Sequence, residues 1–269
     1  MSYRGILRKK RSRELNYLWY TAIVILIAFL LFVALFFRKT RFPKKKLLLY
    51  YLLSIALPLV IPYPWIEKIL FDYLAGLSSA LFISLILILI EWALLLFLIM
   101  KAYQEVVDSP EEKFFLFLLL GLGFGLGKAL RDTLLVYFHS LSVFYGYSQF
   151  ANFPSFFYLL QKIMEAQIEV ISAGLLGLAF LSPAGYALHH LVSYSLLSFI
   201  PKGLITLVQV LIQFVPSLSF LASVYLISLL PLTLIIGFGL LWYLYRRRLY
   251  QIIEEDETSS HKKNFKKGT

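Results

Sequence analysis

The 269-residue chain contains no cysteine. Disulfides and thiolate metal sites are therefore excluded, and the redox compartment stays undetermined. Charge is scarce too. Only 15% of residues are charged, where soluble domains carry about a quarter. Acid is the scarcer sign, and the formal net charge is +11. In so apolar a chain, that excess fits basic flanks facing anionic headgroups better than nucleic-acid binding. No nucleic-acid partner is expected. No repeat relates the two halves, which counts against a transporter of the inverted-repeat kind.

What is present is apolar. Sixty per cent of residues are hydrophobic and the mean hydropathy is +0.78. Uninterrupted apolar runs of about 17–25 residues mark transmembrane helices. The reading is all-α: a polytopic transmembrane helical bundle of about seven spans. The spans fall near 18–37, 47–63, 77–100, 114–138, 166–182, 185–200 and 217–245. The first run has a basic n-region but no small-residue cleavage site after it, so it is read as a retained helix. "WIEKILFDYL" reads as an interfacial helix, with Trp65 and Tyr73 at headgroup level. Residues 139–164 are aromatic-rich and nearly uncharged, which suits an interfacial loop or half-helix. Residues 204–215 read as a short interfacial or re-entrant piece after a stop at "PKG". Three parts follow: a basic N-terminal segment 1–17, the bundle 18–246, and a polar tail 247–269 expected to be disordered. The basic 38–46 loop and "RRR" at 246–248 put the C-terminus inside. Seven spans then put the N-terminus outside, against the pull of "RGILRKKRSR". The expected location is the cell membrane of a prokaryote.

Charges at membrane depth are the candidates for function, because each is costly without a partner. Glu91 stands in the middle of "LILILIEWALLLFLIM". It is either a hydrogen-bonded structural glutamate or the polar centre of a bundle. "GLGFGLGKALRD" places Gly121 with Gly125, and Gly123 with Gly127, in two overlapping GxxxG patterns. Such patterns let helix backbones approach closely. They lack the spacing of a phosphate-binding loop. Lys128 and Asp132 are four apart and face one side, so they can pair, and Arg131 can join them. The alternative is a span near its interface with snorkelling cations. Glu165 and Glu169 open span five, where the helix dipole favours an acid. Glu169 is the deeper of the two. His189 and His190 open span six. Neighbours on a helix point about 100° apart, so one metal will not take both.

In order, these are an intramembrane glutamate, a glycine-rich "GLGFG" span, an aromatic stretch, a small-residue span and a span opening on His. The arrangement resembles the glutamic-type intramembrane protease superfamily. That group includes the PrsW and YhfC families and the related Aph scaffold subunit of γ-secretase. The YhfC-like pattern has "EE..R", then "GLGHGxxE", then a His on each later span. Glu91 matches the first glutamate, while Trp92 and Leu95 replace the second acid and the arginine. Phe124 stands where a His is expected and Lys128 where a glutamate is expected. "IEVISAGLLGLAFL" has no His. His190, or else His189, matches the last one.

Metal-assisted hydrolysis needs about three protein ligands, an open position and a carboxylate base. The resemblance therefore implies a scaffold, or a binder of hydrophobic segments, more than a protease. Lys128 would pair with Glu91 or Asp132 in the vacated centre. If the protease reading holds instead, Glu91 and Glu169 carry the catalysis, and His190 or His189 holds zinc. On the scaffold reading there is no cofactor. The partners are the lipid bilayer and a second membrane protein or transmembrane segment. A small transporter or channel is a third reading. A haem protein using His139 and His190 is a fourth.

Overall fold

The computed structural model describes residues 44–60, 77–105, 109–139, 155–181, 187–214 and 224–267. Span one, the helix expected at 65–74, residues 140–154 and the start of span seven lie outside them. The described residues form helices: α1 (Lys44–Val60), α2 (Leu77–Glu105), α3 (Pro110–His139), α4 (Ser155–Phe180), α5 (Ala187–Phe214) and α6 (Leu230–Lys267). A π-helical turn, Tyr225–Leu229, leads into α6. Five helices are long and apolar enough to cross a membrane: Leu81–Gln104, Pro110–Thr133, Leu160–Phe180, His189–Val208 and Ile227–Arg248.

Local chemistry explains several ends. "SPEE" starts α3. Ser109 Oγ accepts the Glu112 N–H at 3.2 Å, Pro110 needs no partner for a missing N–H, and two acids follow. The π turn precedes Pro231. The Leu230 N–H reaches back to the Tyr225 carbonyl, a five-residue step that absorbs the proline's missing donor.

Three expectations about boundaries are corrected. Residues 155–164 are not an interfacial loop but the first turns of α4. Glu165 is thus ten residues inside its helix, and the N-terminal dipole is not what places it there. Residues 204–214 are not a separate piece, because α5 runs straight through Pro201. A proline costs a helix one hydrogen bond, and surrounding helices can absorb that loss. α6 continues to Lys267, through the tail expected to be disordered. Glutamate and lysine are strong helix formers, and here the acids precede the bases.

α3 and α4 are central: 67% of each apolar window is buried, against 22% for α5 and α6. α4 separates two apolar cores. One holds Leu47, Leu95, Ile99, Phe117 and Phe124. The other holds Ile168, Ile171, Tyr194, Ile205, Leu234 and Tyr245. On α2, Ile83, Leu87, Glu91, Leu95, Leu98 and Ala102 form one buried stripe. Leu85, Leu89, Phe97 and Met100 point outward. α5 and α6 likewise expose Val192, Leu196, Ile200, Ile235, Ile236 and Trp242. An apolar outer surface of this extent is what lipid covers.

The ends of the bundle can be told apart. At one end, α2 runs out, α3 begins, and Arg248 Nε donates to the Leu181 carbonyl at 3.2 Å. We call this the near end. At the far end, Tyr225 reaches α4.

Candidate functional site

Glycine spacing builds the site. Residues two apart on a helix point roughly 200° apart, so the two glycine pairs lie on opposite sides of α3. Gly121 and Gly125 face α4. A β-carbon at Gly121 would sit 2.5 Å from the Glu169 carbonyl oxygen and 2.6 Å from Ala173 Cβ. At Gly125 it would sit 2.5 Å from the Ala166 carbonyl oxygen. Gly123 and Gly127 face α1, against Tyr51 and Ser54 and against Ile55 and Pro58. Two helices thus lie against α3 with little between the backbones. Lys128 and Asp132 continue the α4-facing stripe at helical spacing. The close approach brings them level with the charged side chains of α4.

The result is a chain of eight side chains of alternating sign. Lys202 Nζ lies 2.5 Å from Glu169 Oε2. This ion pair is the shortest contact in the chain. Glu169 Oε1 accepts from Lys128 Nζ at 2.9 Å, and Lys128 also donates to Glu91 Oε2 at 2.6 Å. Arg131 Nη1 bonds Glu91 Oε1 at 3.4 Å, and its Nη2 bonds Asp132 Oδ1 at 3.0 Å. Lys162 Nζ donates to Asp132 Oδ2 at 2.7 Å and to Glu165 Oε2 at 2.9 Å. The Tyr225 hydroxyl and Gln161 Nε2 both donate to Glu165 Oε1, at 2.9 and 2.8 Å. The chain joins α2, α3, α4, α5 and the π turn.

Four carboxylates meet four cations, so the group is neutral as a whole. That explains how so many charges are held at membrane depth: each has an opposite neighbour, and nearly all gain hydrogen bonds as well. Exposure differs along the chain. The side chains of Lys202 and Glu169 are 3% exposed, and Glu165 at the far end is 18% exposed. Lys128 is the most exposed of the eight at 27%.

The sequence candidates are distributed as follows. Glu91, Lys128, Arg131, Asp132 and Glu169 come together. The four glycines pack the helices around them without touching the chemistry. Lys128 takes Glu91 and Glu169 as partners. Of the two partners expected for Lys128, Glu91 is taken, while Asp132 is held by Arg131, also expected there, and by Lys162. Lys162, Lys202 and Tyr225 were not legible as site residues. The first sits in the stretch read as a loop and the second in "PKG", read as a stop.

The histidines are elsewhere. His190 lies twelve residues before Lys202, about 18 Å along α5 at 1.5 Å per residue. Its ring stacks on Tyr194 with centroids 5.6 Å apart, and His189 neighbours it at 5.8 Å. Among the described residues, no three His, Asp or Glu side chains group as a metal cage. Phe124, where the resemblance expects a His, is fully buried in the apolar core. Lys202 Nζ stands 5.8 Å from its ring centroid. The side chain of His139 lies outside the described residues.

No family model, no curated protein and no solved structure matches this chain. Nothing in these comparisons links it to the glutamic-type intramembrane proteases.

Proposed function

We propose that this is an integral membrane protein that passes a small charged species along its buried chain of charges. One observation carries the reading. Eight ionisable side chains of alternating sign join into one chain among the apolar helices, the least exposed being Lys202 and Glu169 at 3% and the most exposed Lys128 at 27%. Ionisable residues inside membrane spans are costly and tend to mark ion pathways and proton relays. A bundle held only by packing has no need of eight of them. The missing internal repeat weighs against alternating access between two halves. A fixed polar path needs no repeat.

Orientation follows from the same frame. α1 and α3 run parallel, since Gly123 meets Tyr51 and Gly127 meets Ile55. The near end therefore gathers Lys44, Lys45, Lys46, Lys101, Lys113 and Arg246–Arg248. The excess of basic over acidic residues in short flanks favours the cytoplasm. This supports a C-terminus inside and, with seven spans, an N-terminus outside. The chain of charges then lies toward the outer leaflet.

The test is ion flux into liposomes containing the purified full chain. Flux above that of protein-free liposomes, reduced by Asp132→Asn, supports the reading. A folded protein that moves no ion refutes it.

A second reading, the scaffold, is favoured by Lys128. It occupies both Glu91 and Glu169, the two carboxylates that an intramembrane hydrolase of the resembled kind would use. Cross-linking to one defined membrane protein in native membranes, with no flux, would support it.

A further inference from the structure

The outer face of α6 changes character along its length. Ile235 and Ile236 are 71% and 60% exposed. Two turns on, Trp242 and Tyr243 are each 60% exposed. One turn further, Arg246 and Arg247 are exposed too. At about 100° per residue all six fall within an arc of about 140°, so they share one face. Gly239 lies near the middle of that arc. A β-carbon there would meet nothing within 4 Å. The face therefore carries a notch, floored by Gly239 and walled by two isoleucines on one side and two aromatic rings on the other.

The order along the helix matches the order along a phospholipid. Arg246 and Arg247 stand in the last turn of the span Ile227–Arg248, at headgroup depth. Trp242 and Tyr243 lie about 6 Å deeper, where amphipathic rings settle at the interface. The notch is deeper still, at the level of acyl chains. Arg246 Cζ stands 5.8 Å from the Trp242 ring centroid, a cation–π distance that holds the guanidinium over the ring. Among the described residues, no carboxylate forms an ion pair with Arg246 or Arg247.

We infer that this face of α6 is a binding site for one anionic glycerophospholipid, with its phosphodiester at Arg246 and Arg247 and an acyl chain in the Gly239 notch. Guanidinium groups match phosphate oxygens in geometry as well as in charge. A second copy of this chain is the other occupant that a notched apolar face could take, and charge decides against it. Copies in one membrane share an orientation, and a symmetric pair sets one patch against itself. Packing α6 on α6 would bring Arg246 and Arg247 against their own duplicates. Arginine keeps its charge, so the repulsion would persist. A lipid phosphate supplies the opposite charge instead. α6 contributes no side chain to the buried chain of charges, so lipid binding here does not depend on the transport reading.

The experiment reads Trp242. The full chain is placed in phosphatidylcholine vesicles containing a minor fraction of phosphatidylglycerol brominated on its acyl chains, because bromine quenches nearby indole fluorescence. The difference between wild type and Trp242→Phe isolates Trp242 among the chain's four tryptophans. Trp242 should be quenched more by brominated phosphatidylglycerol than by brominated phosphatidylcholine at the same fraction. Arg246→Gln with Arg247→Gln should remove that preference. Affinity falls roughly 25-fold for the pair, at about fivefold per charge beside an anionic lipid. Lys45→Gln with Lys46→Gln is the control. These lysines are exposed at the same end, on α1, and should leave the preference unchanged. Gly239→Leu fills the notch with every charge in place and should lower Trp242 quenching severalfold. It stands in if the arginine pair proves necessary for insertion.

Equal quenching by the two lipids overturns the inference. So does a Lys45→Gln, Lys46→Gln variant that loses the preference as fully as the arginine pair, because the charge would then act diffusely. A disulfide-linked dimer of Gly239→Cys in native membranes would assign the face to a second copy instead.

Discussion

The backbone of Glu169 passes so close to Gly121 that a β-carbon there would meet its carbonyl oxygen at 2.5 Å. The same stretch of α4 carries the Glu169 carboxylate to Lys128. Packing and electrostatics are thus tied at one point. If α4 is pushed away from α3, the ion pair opens.

The first prediction follows from that contact. Gly121→Ala forces backbone apart, and overpacking of this sort costs about 1–3 kcal/mol. Gly239→Ala is the control, because a β-carbon there meets nothing within 4 Å. Thermal unfolding in detergent should show a lowered midpoint for the first and an unchanged or slightly raised one for the second. Equal midpoints would show that the α3–α4 approach is looser than described.

The second concerns Lys128. Replacing it with methionine leaves Glu91 and Glu169 short of a cation. Breaking a buried pair from one side costs about 3–5 kcal/mol. Adding Glu91→Gln restores neutrality and should recover part of the loss. A double-mutant cycle in detergent stability measures this, and strict additivity would mean that the two residues do not interact.

A third prediction uses the absence of native cysteine, which makes every introduced thiol unique. Lys101→Cys and Arg247→Cys both lie at the near end. A membrane-impermeant maleimide should modify both from the cytoplasmic side and neither from outside. Modification from opposite sides would break the topology drawn here.

The fourth is Tyr225→Phe. The change removes the hydrogen bond to the Glu165 carboxylate, so the loss should be about 1.5–3 kcal/mol, as for bonds to charged groups. It should also release the π turn from α4. Faster amide exchange at Tyr225–Leu229 would report this, and unchanged exchange would argue that the turn is held by Pro231 alone.

Much of this was legible in the sequence, for definite reasons. Glu91 stood out because nothing near it is polar. The paired glycines announced close helix contacts because their spacing is helical. Lys162 and Lys202 were hidden by their surroundings. An aromatic, nearly uncharged stretch reads as interfacial, and "PKG" reads as a stop, until neighbouring helices show that the chain stays helical through Lys162 and Lys202. The second partner of Asp132 was missed for a related reason. Spacing within one helix shows which residues can pair along it. It does not show that a lysine thirty positions later offers shorter contacts from the next helix.

One consequence of the two glycine faces is mechanical. α1 and α4 grip α3 from opposite sides, α4 with its backbone against Gly121 and Gly125, and α1 with Tyr51, Ser54, Ile55 and Pro58 against Gly123 and Gly127. Sliding or rotating α3 would drive a side chain into a neighbour on one side or the other. The three helices therefore behave as a single plate. α5 and α6 are the less buried of the helices, with 22% of each apolar window buried, and Lys202 lies on α5. A tilt of α5 would carry its ammonium to or from Glu169 while the rest of the charge chain stayed fixed, like a contact arm moving against a stationary terminal.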